Sequence, residues 1–309
     1  MFRNTRTKFV FLLTLCAVFS VAMTLTGCGG GSGGGGGGSR GSTTDFPVPE
    51  ASGEVSYSSG GVTLDASHTS DGYIMVKYSG SAAKAKVQIT GSDGEVYTYT
   101  LKTDNFETFP LTTGDGSYKI DVLENVSGDM YTLSLAQTIS VSLDNEFSPF
   151  LCPNQYVWFE SGMESMDLAV DLSEKSSDDL NFVENVYEYV IKHISYDYDK
   201  AANVPLDYVP DIDETLDTGK GICFDYASLM SAILRSQNVP CKLVVGYSGS
   251  AYHAWISVYT EETGWVDDII EFDGKNWSLM DPTLASSNDE SAVKEYVGNG
   301  SNYIVKYNY

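Results

Sequence analysis

The period of the apolar residues changes once along this chain, from two to about 3.6, near Pro149-Phe150-Leu151-Cys152-Pro153. A change of that kind excludes a uniform all-β or all-α fold. Before it, Ala83, Ala85, Val87 and Ile89 alternate with Lys84, Lys86, Gln88 and Thr90, as in a strand with one wet face. Asp93-Gly94 supplies a hairpin turn before 96–101, and Asp115-Gly116 a second turn before Tyr118, Ile120 and Val122. A further strand is expected over 131–143. Short strands divided by turns predict a small β-sandwich of immunoglobulin-like outline over residues 46–148, serving as spacer or binding module. Its one histidine, His68, sits among Ser and Thr and reads as surface.

After the change, Leu180, Val183, Tyr187, Val190, Ile191 and Ile194 share one helical face, with Ser177-Asp178-Asp179 as the start signal. An Asp- and Pro-rich stretch read as loop leads to Gly219-Lys220-Gly221. A second helix is expected from about Ile222 to Gln237. Apolar strands then follow over 241–247, 252–259, 265–270 and 276–280. Helices followed by antiparallel strands predict an α+β domain over residues 149–309.

The N-terminus is not a folding element. Arg3, Arg6 and Lys8 precede an apolar run from Phe9 to Leu25, which reads as a secretory signal. Leu25-Thr26-Gly27-Cys28 closes it in the manner of a lipobox, making Cys28 the expected lipidation site at the end of a 1–28 signal segment. Acyl chains anchor because each buried methylene contributes roughly 0.8 kcal/mol. Residues 29–45 then read as a Gly/Ser-rich tether. The expectation is export, with a lipid anchor on the extracytoplasmic face of the membrane.

The chain's net charge of −24 becomes more negative once that basic segment is removed, since no acidic residue precedes Asp45. Phosphate backbones are poor partners for such a surface, and nucleic-acid binding is excluded on charge. Of five cysteines, Cys16 leaves with the signal and Cys28 is lipidated. Cys152, Cys223 and Cys241 remain, an odd number, so at least one thiol stays free. None has zinc-like spacing, and no metal or cofactor is expected. The acidic group Asp211, Asp213, Glu214 and Asp217 lacks the Gly and terminal Glu of a calcium loop and reads as solvated loop, with weak calcium binding left open.

Cys223 falls at the start of the second helix. Unpaired N–H groups and the positive dipole end favour a thiolate there, the nucleophilic form. Gly221 would let backbone approach a substrate closely. On helix position alone, a small buried hydrophobe is an equal reading. His253, in Tyr252-His253-Ala254-Trp255, can take the thiol proton and later protonate a leaving amine. Asp281, in Met280-Asp281-Pro282-Thr283, is placed to fix its tautomer, with Asp267, Asp268 and Asp273 as competitors. Tyr196, by its place in Ile194-Ser195-Tyr196-Asp197, reads either as an added oxyanion hydroxyl or equally as a core or surface tyrosine, and His193 reads as structural.

Gly221-Ile222-Cys223-Phe224-Asp225-Tyr226-Ala227-Ser228-Leu229, Leu234-Arg235, Val239-Pro240, Gly246-Tyr247, His253-Ala254-Trp255 and Asp281-Pro282-Thr283 together resemble the transglutaminase-like superfamily, as does Ile194-Ser195-Tyr196-Asp197 upstream. The resemblance covers about 177–285. It implies a papain-like core with the Cys helix on an antiparallel sheet, and a Cys223–His253–Asp281 triad acting through a thioester on peptide or side-chain amides. Within it, a peptidase or amidase is favoured over a cross-linking acyltransferase. The partners implied are peptide or protein substrates, in the cell envelope. The competing reading is a non-catalytic protein that binds peptide or cell wall on the same fold.

Overall fold

Period-two segments in the first half do become strands. The computed structural model describes residues 39–267, 271–272, 277–278 and 303–309. β1 (Ser56–Ser59), β2 (Val62–Asp65), β3 (Tyr73–Tyr78) and β6 (Glu107–Pro110) form one antiparallel sheet in the order β1-β2-β3-β6. β4 (Ala85–Thr90), β5 (Val96–Thr100), β7 (Gly116–Ser127) and β8 (Met130–Val141) form the other, in the order β5-β4-β7-β8. Val62, Leu64, Ile74 and Val76 of the first sheet and Val87, Ile89, Ile120 and Val122 of the second are buried in a shared apolar core. Each such side chain contributes roughly 1.5–3 kcal/mol by leaving water. β1, β2, β3 and β6 lie outside the strands placed by alternation; β3, for one, is buried at five of its six positions and has no wet face to alternate with.

In the second half, α1 (Glu164–Glu174) and α2 (Asp179–His193) precede α5 (Cys223–Ser236), and both pack against it. The other side of α5 meets β11 (Cys241–Ser248) and β12 (Ala251–Thr260). These strands belong to an antiparallel sheet ordered β13-β12-β11-β16, with β13 at Gly264–Val266 and β16 at Tyr303–Asn308. The architecture is α+β, with the Cys-bearing helix on an antiparallel sheet. β14 (Glu271–Phe272) and β15 (Trp277–Ser278) pair as a two-residue ladder.

The stretch read as Asp- and Pro-rich loop holds two short helices, α3 (Tyr198–Asn203) and α4 (Ile212–Thr218). The acidic group is accordingly not a solvated loop. Asp211 caps α4 by accepting from the Glu214 N–H at 3.0 Å. Asp213 accepts from the N–H groups of Glu164 and Ser165 at 3.0 and 2.9 Å. The α1 N-cap, Met163, has no acceptor of its own, so a carboxylate 48 residues away from Ser165 supplies the cap.

Residues 39–45, read as the end of the tether, are docked rather than free coil. Arg40 reaches Asp179, Ser173 Oγ and the Gln237 carbonyl at 2.5, 2.7 and 2.5 Å, and its guanidinium lies 4.8 Å from the Phe182 ring centroid. Gln237 bonds both backbone groups of Thr43 at 2.9 Å. Cys28 and the lipobox lie outside the described residues. Among the described residues, no helix is long and apolar enough to cross a membrane.

Candidate active site

The approach to Cys223 is fixed before the helix begins. β9 (Ser195–Tyr196) and β10 (Lys220–Gly221) form a two-residue parallel ladder that sets Tyr196 beside Gly221. The Asp197 N–H extends it by donating to the Gly221 carbonyl at 2.9 Å. Ile222 is the extended N-cap of α5, and Cys223 is its first residue. The Tyr226 hydroxyl donates to the Ile194 carbonyl at 2.8 Å, tying the first turn of α5 to the end of α2. Cys223 is half-buried at the N-terminus of α5.

Asp225, fully buried two residues beyond Cys223, organises this turn. Its carboxylate accepts from the Ile222 N–H at 2.8 Å and the Tyr208 hydroxyl at 2.5 Å, and pairs with the Lys200 ammonium at 2.8 Å. The ammonium also lies 4.6 Å from the Tyr208 ring centroid. Burial, then the bond to Asp225, raises the Tyr208 pKa. Residue 221 is glycine for this reason: a Cβ there would lie 2.8 Å from the Asp225 Cβ. α3 buries no side chain, so Lys200 and Tyr208 are what ties the 198–208 wall to the Cys helix. Sequence reading placed Asp225 in a motif without a role. The Asp-Pro-rich surroundings gave no period from which Lys200 and Tyr208 could be found.

His253 reaches the same place from the sheet. It lies on β12 opposite Gly246 of β11. Its ring stands 6.2 Å from Trp255 and 6.4 Å from Tyr303, centroid to centroid. Cys223, His253 and Tyr196 line one cleft of about 390 Å³. Tyr156, Phe224, Tyr252 and Tyr309 supply much of the remaining wall, and among the described residues no Asp, Glu, Lys or Arg lines it. Burial raises the Tyr252 pKa, with Tyr307, Tyr247 and Cys223 adding in the same direction. Burial likewise raises those of Tyr156 and Tyr309.

Asp281 lies outside the described residues, as do Asp268 and Asp273. Asp267 is exposed, and its charge acts on Lys242, whose ammonium sits 3.7 Å from the Trp265 centroid. His193 is exposed, stacks on Tyr189 at 4.1 Å and bonds that residue's carbonyl at 2.8 Å. His68 is not bare surface: it pairs with Asp71 at 2.9 Å and stacks on Tyr73 at 5.4 Å. Cys152 and Cys241 are free thiols, both pushed up to about 11 by burial. Among the described residues, no group of three or more His, Cys, Asp or Glu is placed to hold a metal.

A thiol at the head of a buried helix, sharing a cleft with a histidine on the sheet beneath it, has the layout of a thiol enzyme. Residues 166–268 match the model of the transglutaminase-like superfamily. A UPF0252 protein of Methanocaldococcus jannaschii is 35% identical over 106 residues, 30% of each chain. The protein-glutamine gamma-glutamyltransferase of Pseudomonas aeruginosa is 26% identical over 108 residues, 30% of this chain and 14% of that one. The human Kyphoscoliosis peptidase is 29% identical over 166 residues, 48% of this chain and 22% of its own. The chain thus spans less than a third of the length of each of these relatives.

Proposed function

We propose that this chain is an exported, lipid-anchored thiol enzyme that opens peptide or side-chain amides, more readily passing the acyl group to water than to an amine. The observation that carries the reading is the shared cleft: Cys223 from the helix end and His253 from the sheet both line it. In this mechanism His253 takes the Cys223 proton, and the thiolate attacks the amide carbonyl. The tetrahedral oxyanion draws on the helix-end N–H groups, with the Tyr196 hydroxyl as a further donor. Collapse expels the amine, protonated by His253, and leaves a thioester on Cys223. Water, deprotonated by His253, then releases the acid. Asp281 holds the imidazole tautomer. Two relatives, a peptidase and a glutamyltransferase by name, support amide chemistry and differ on the acceptor. Cys28 carries the anchor, on the strength of the basic and apolar segments before it.

The test is incubation of the full chain with reduced, carboxymethylated casein, with and without dansylcadaverine, followed by mass spectrometry. New peptide ends or deamidated side chains that vanish in Cys223→Ala support the reading, and dansyl incorporation in their place moves it to cross-linking. Casein left intact by the wild type, yet retained equally by wild type and Cys223→Ala, would favour the non-catalytic binding protein. Incorporation of an alkynyl palmitate that is lost in Cys28→Ala tests the anchor.

A further inference from the structure

One residue of the β-rich half, Thr98, lines the cleft. In its sheet β5 is an edge strand, and Thr98 at the middle of β5 is exposed and lines the cleft with Cys223 and His253. The ladder fixes which way the backbone groups of β5 point. Gly91 N–H donates to the Glu95 carbonyl at 2.8 Å, and Leu101 N–H to the Ala85 carbonyl at 3.0 Å. Bonded pairs recur at every second residue of an antiparallel ladder. Tyr97 and Tyr99 therefore carry the bonds to β4, while Val96, Thr98 and Thr100 turn their N–H and C=O to the open edge. Thr100 bears this out, because its carbonyl accepts from Gln155 Nε2 at 2.8 Å, from outside the sheet. The matching groups of Thr98 face the same open edge, and Thr98 lines the cleft.

An open strand edge invites another strand, and strand addition is an established way to hold an extended peptide. The rest of the cleft favours uncharged side chains. Tyr156, Phe224 and Tyr309 line it, and at its mouth Leu206 and Tyr252 are exposed. That apolar lining contrasts with a chain of net charge −24. Resting on the thiol-enzyme reading, we propose that the substrate is an extended polypeptide that adds to β5 through the Thr98 backbone and seats an uncharged aliphatic or aromatic side chain in the cleft beside Cys223. The β-rich half is then a specificity wall of the site and not a separate adhesion module. The β5 side of the β-rich half is fixed to the site by Tyr97 and Tyr99, which meet Tyr309 at 5.7 Å each, and by the Lys102–Asp207 ion pair at 3.0 Å.

The experiment uses the full chain and acetyl-Ala-Ala-Phe vinyl sulfone, its analogue with Asp in place of Phe, and versions N-methylated at each amide in turn. Alkylation of Cys223 is followed by peptide mass spectrometry and normalised in each variant to the iodoacetamide rate. The Phe probe is expected to react roughly tenfold faster than the Asp probe, from burial of the ring. Thr98→Pro removes an edge N–H without breaking the β4 ladder. It should slow the Phe probe roughly fivefold, the worth of one hydrogen bond. Thr98→Ala, which keeps that N–H, should have the smaller effect. N-methylation at one position should give a loss like that of Thr98→Pro on the unaltered protein, a readout independent of how the variant folds. Equal Phe and Asp rates, or no loss from any N-methyl group, would overturn strand addition. Iodoacetamide labelling of Cys223 indifferent to His253→Ala would instead overturn the thiol-enzyme reading, with the N-methyl series still deciding recognition.

Discussion

Gly246 and His253 stand opposite each other in the β11–β12 ladder, and no side chain fits at position 246. A Cβ there would lie 2.0 Å from the Ile304 carbonyl oxygen and 2.9 Å from Trp255 Cη2. The β11–β16 register shifts between Val245 and Gly246, at the position opposite the histidine. Gly246→Ala should push β16 away and cost about 2 kcal/mol of stability, as overpacked cores do. A urea midpoint measures the loss, and Cys223 alkylation should slow in the same variant.

Asp225→Ala removes the acceptor shared by Ile222, Tyr208 and Lys200 and strands the ammonium in a site where its side chain is only 25% exposed. Breaking such a pair should cost about 3 kcal/mol. Hydrogen exchange should rise across 198–208 before it rises in β11 and β12, because α3 buries no side chain of its own. Uniform protection across these segments would contradict the role given to Asp225.

Arg40→Ala should free residues 39–45 and cost about 1 to 2 kcal/mol, given three lost charged hydrogen bonds and a half-exposed Asp179. Limited proteolysis with a broad-specificity protease should then clip 39–45 in the folded protein while the wild type resists there.

Burial holds the Cys241 thiol at about 11 against an ordinary 9.0. A raised acid pKa means that the unfolded chain releases this proton first as pH rises. The contribution of Cys241 is therefore complete below pH 9 and is lost from pH 9 to about 11. Roughly 2 kcal/mol should disappear across that window from this thiol. Cys241→Ala, less stable at neutral pH, should show a shallower decline between pH 9 and 11 than wild type, by chemical denaturation at stepped pH. The buried tyrosines Tyr99 and Tyr309 move stability in the same direction in both proteins.

Much of this architecture was legible because local pattern and tertiary role agree. Ala85, Val87 and Ile89 alternate because β4 has one wet face. The helix at Cys223 follows from its apolar run, and Asp178 caps α2 within three residues by accepting from Asn181 at 2.8 Å. What escaped depends on distant partners. Asp213 caps a helix far upstream, and the β9–β10 ladder joins Ser195 to Lys220, which no local period encodes. At the site, Cys223 and His253 could be chosen by chemistry, but the tyrosine lining is assembled from Tyr156, Tyr252 and Tyr309, far apart in sequence. Thr98 carried no functional signal at all, since its contribution is backbone at a sheet edge.

In the proposed reaction His253 activates Cys223. The decisive measurement is the rate of iodoacetamide labelling at Cys223, Cys152 and Cys241 across pH, on the full chain and its His253→Ala variant, read by peptide mass spectrometry. Cys223 should label far faster than the two buried thiols at neutral pH and lose most of that advantage in His253→Ala. Equal labelling with and without His253, or Cys223 as resistant as Cys241, would contradict it.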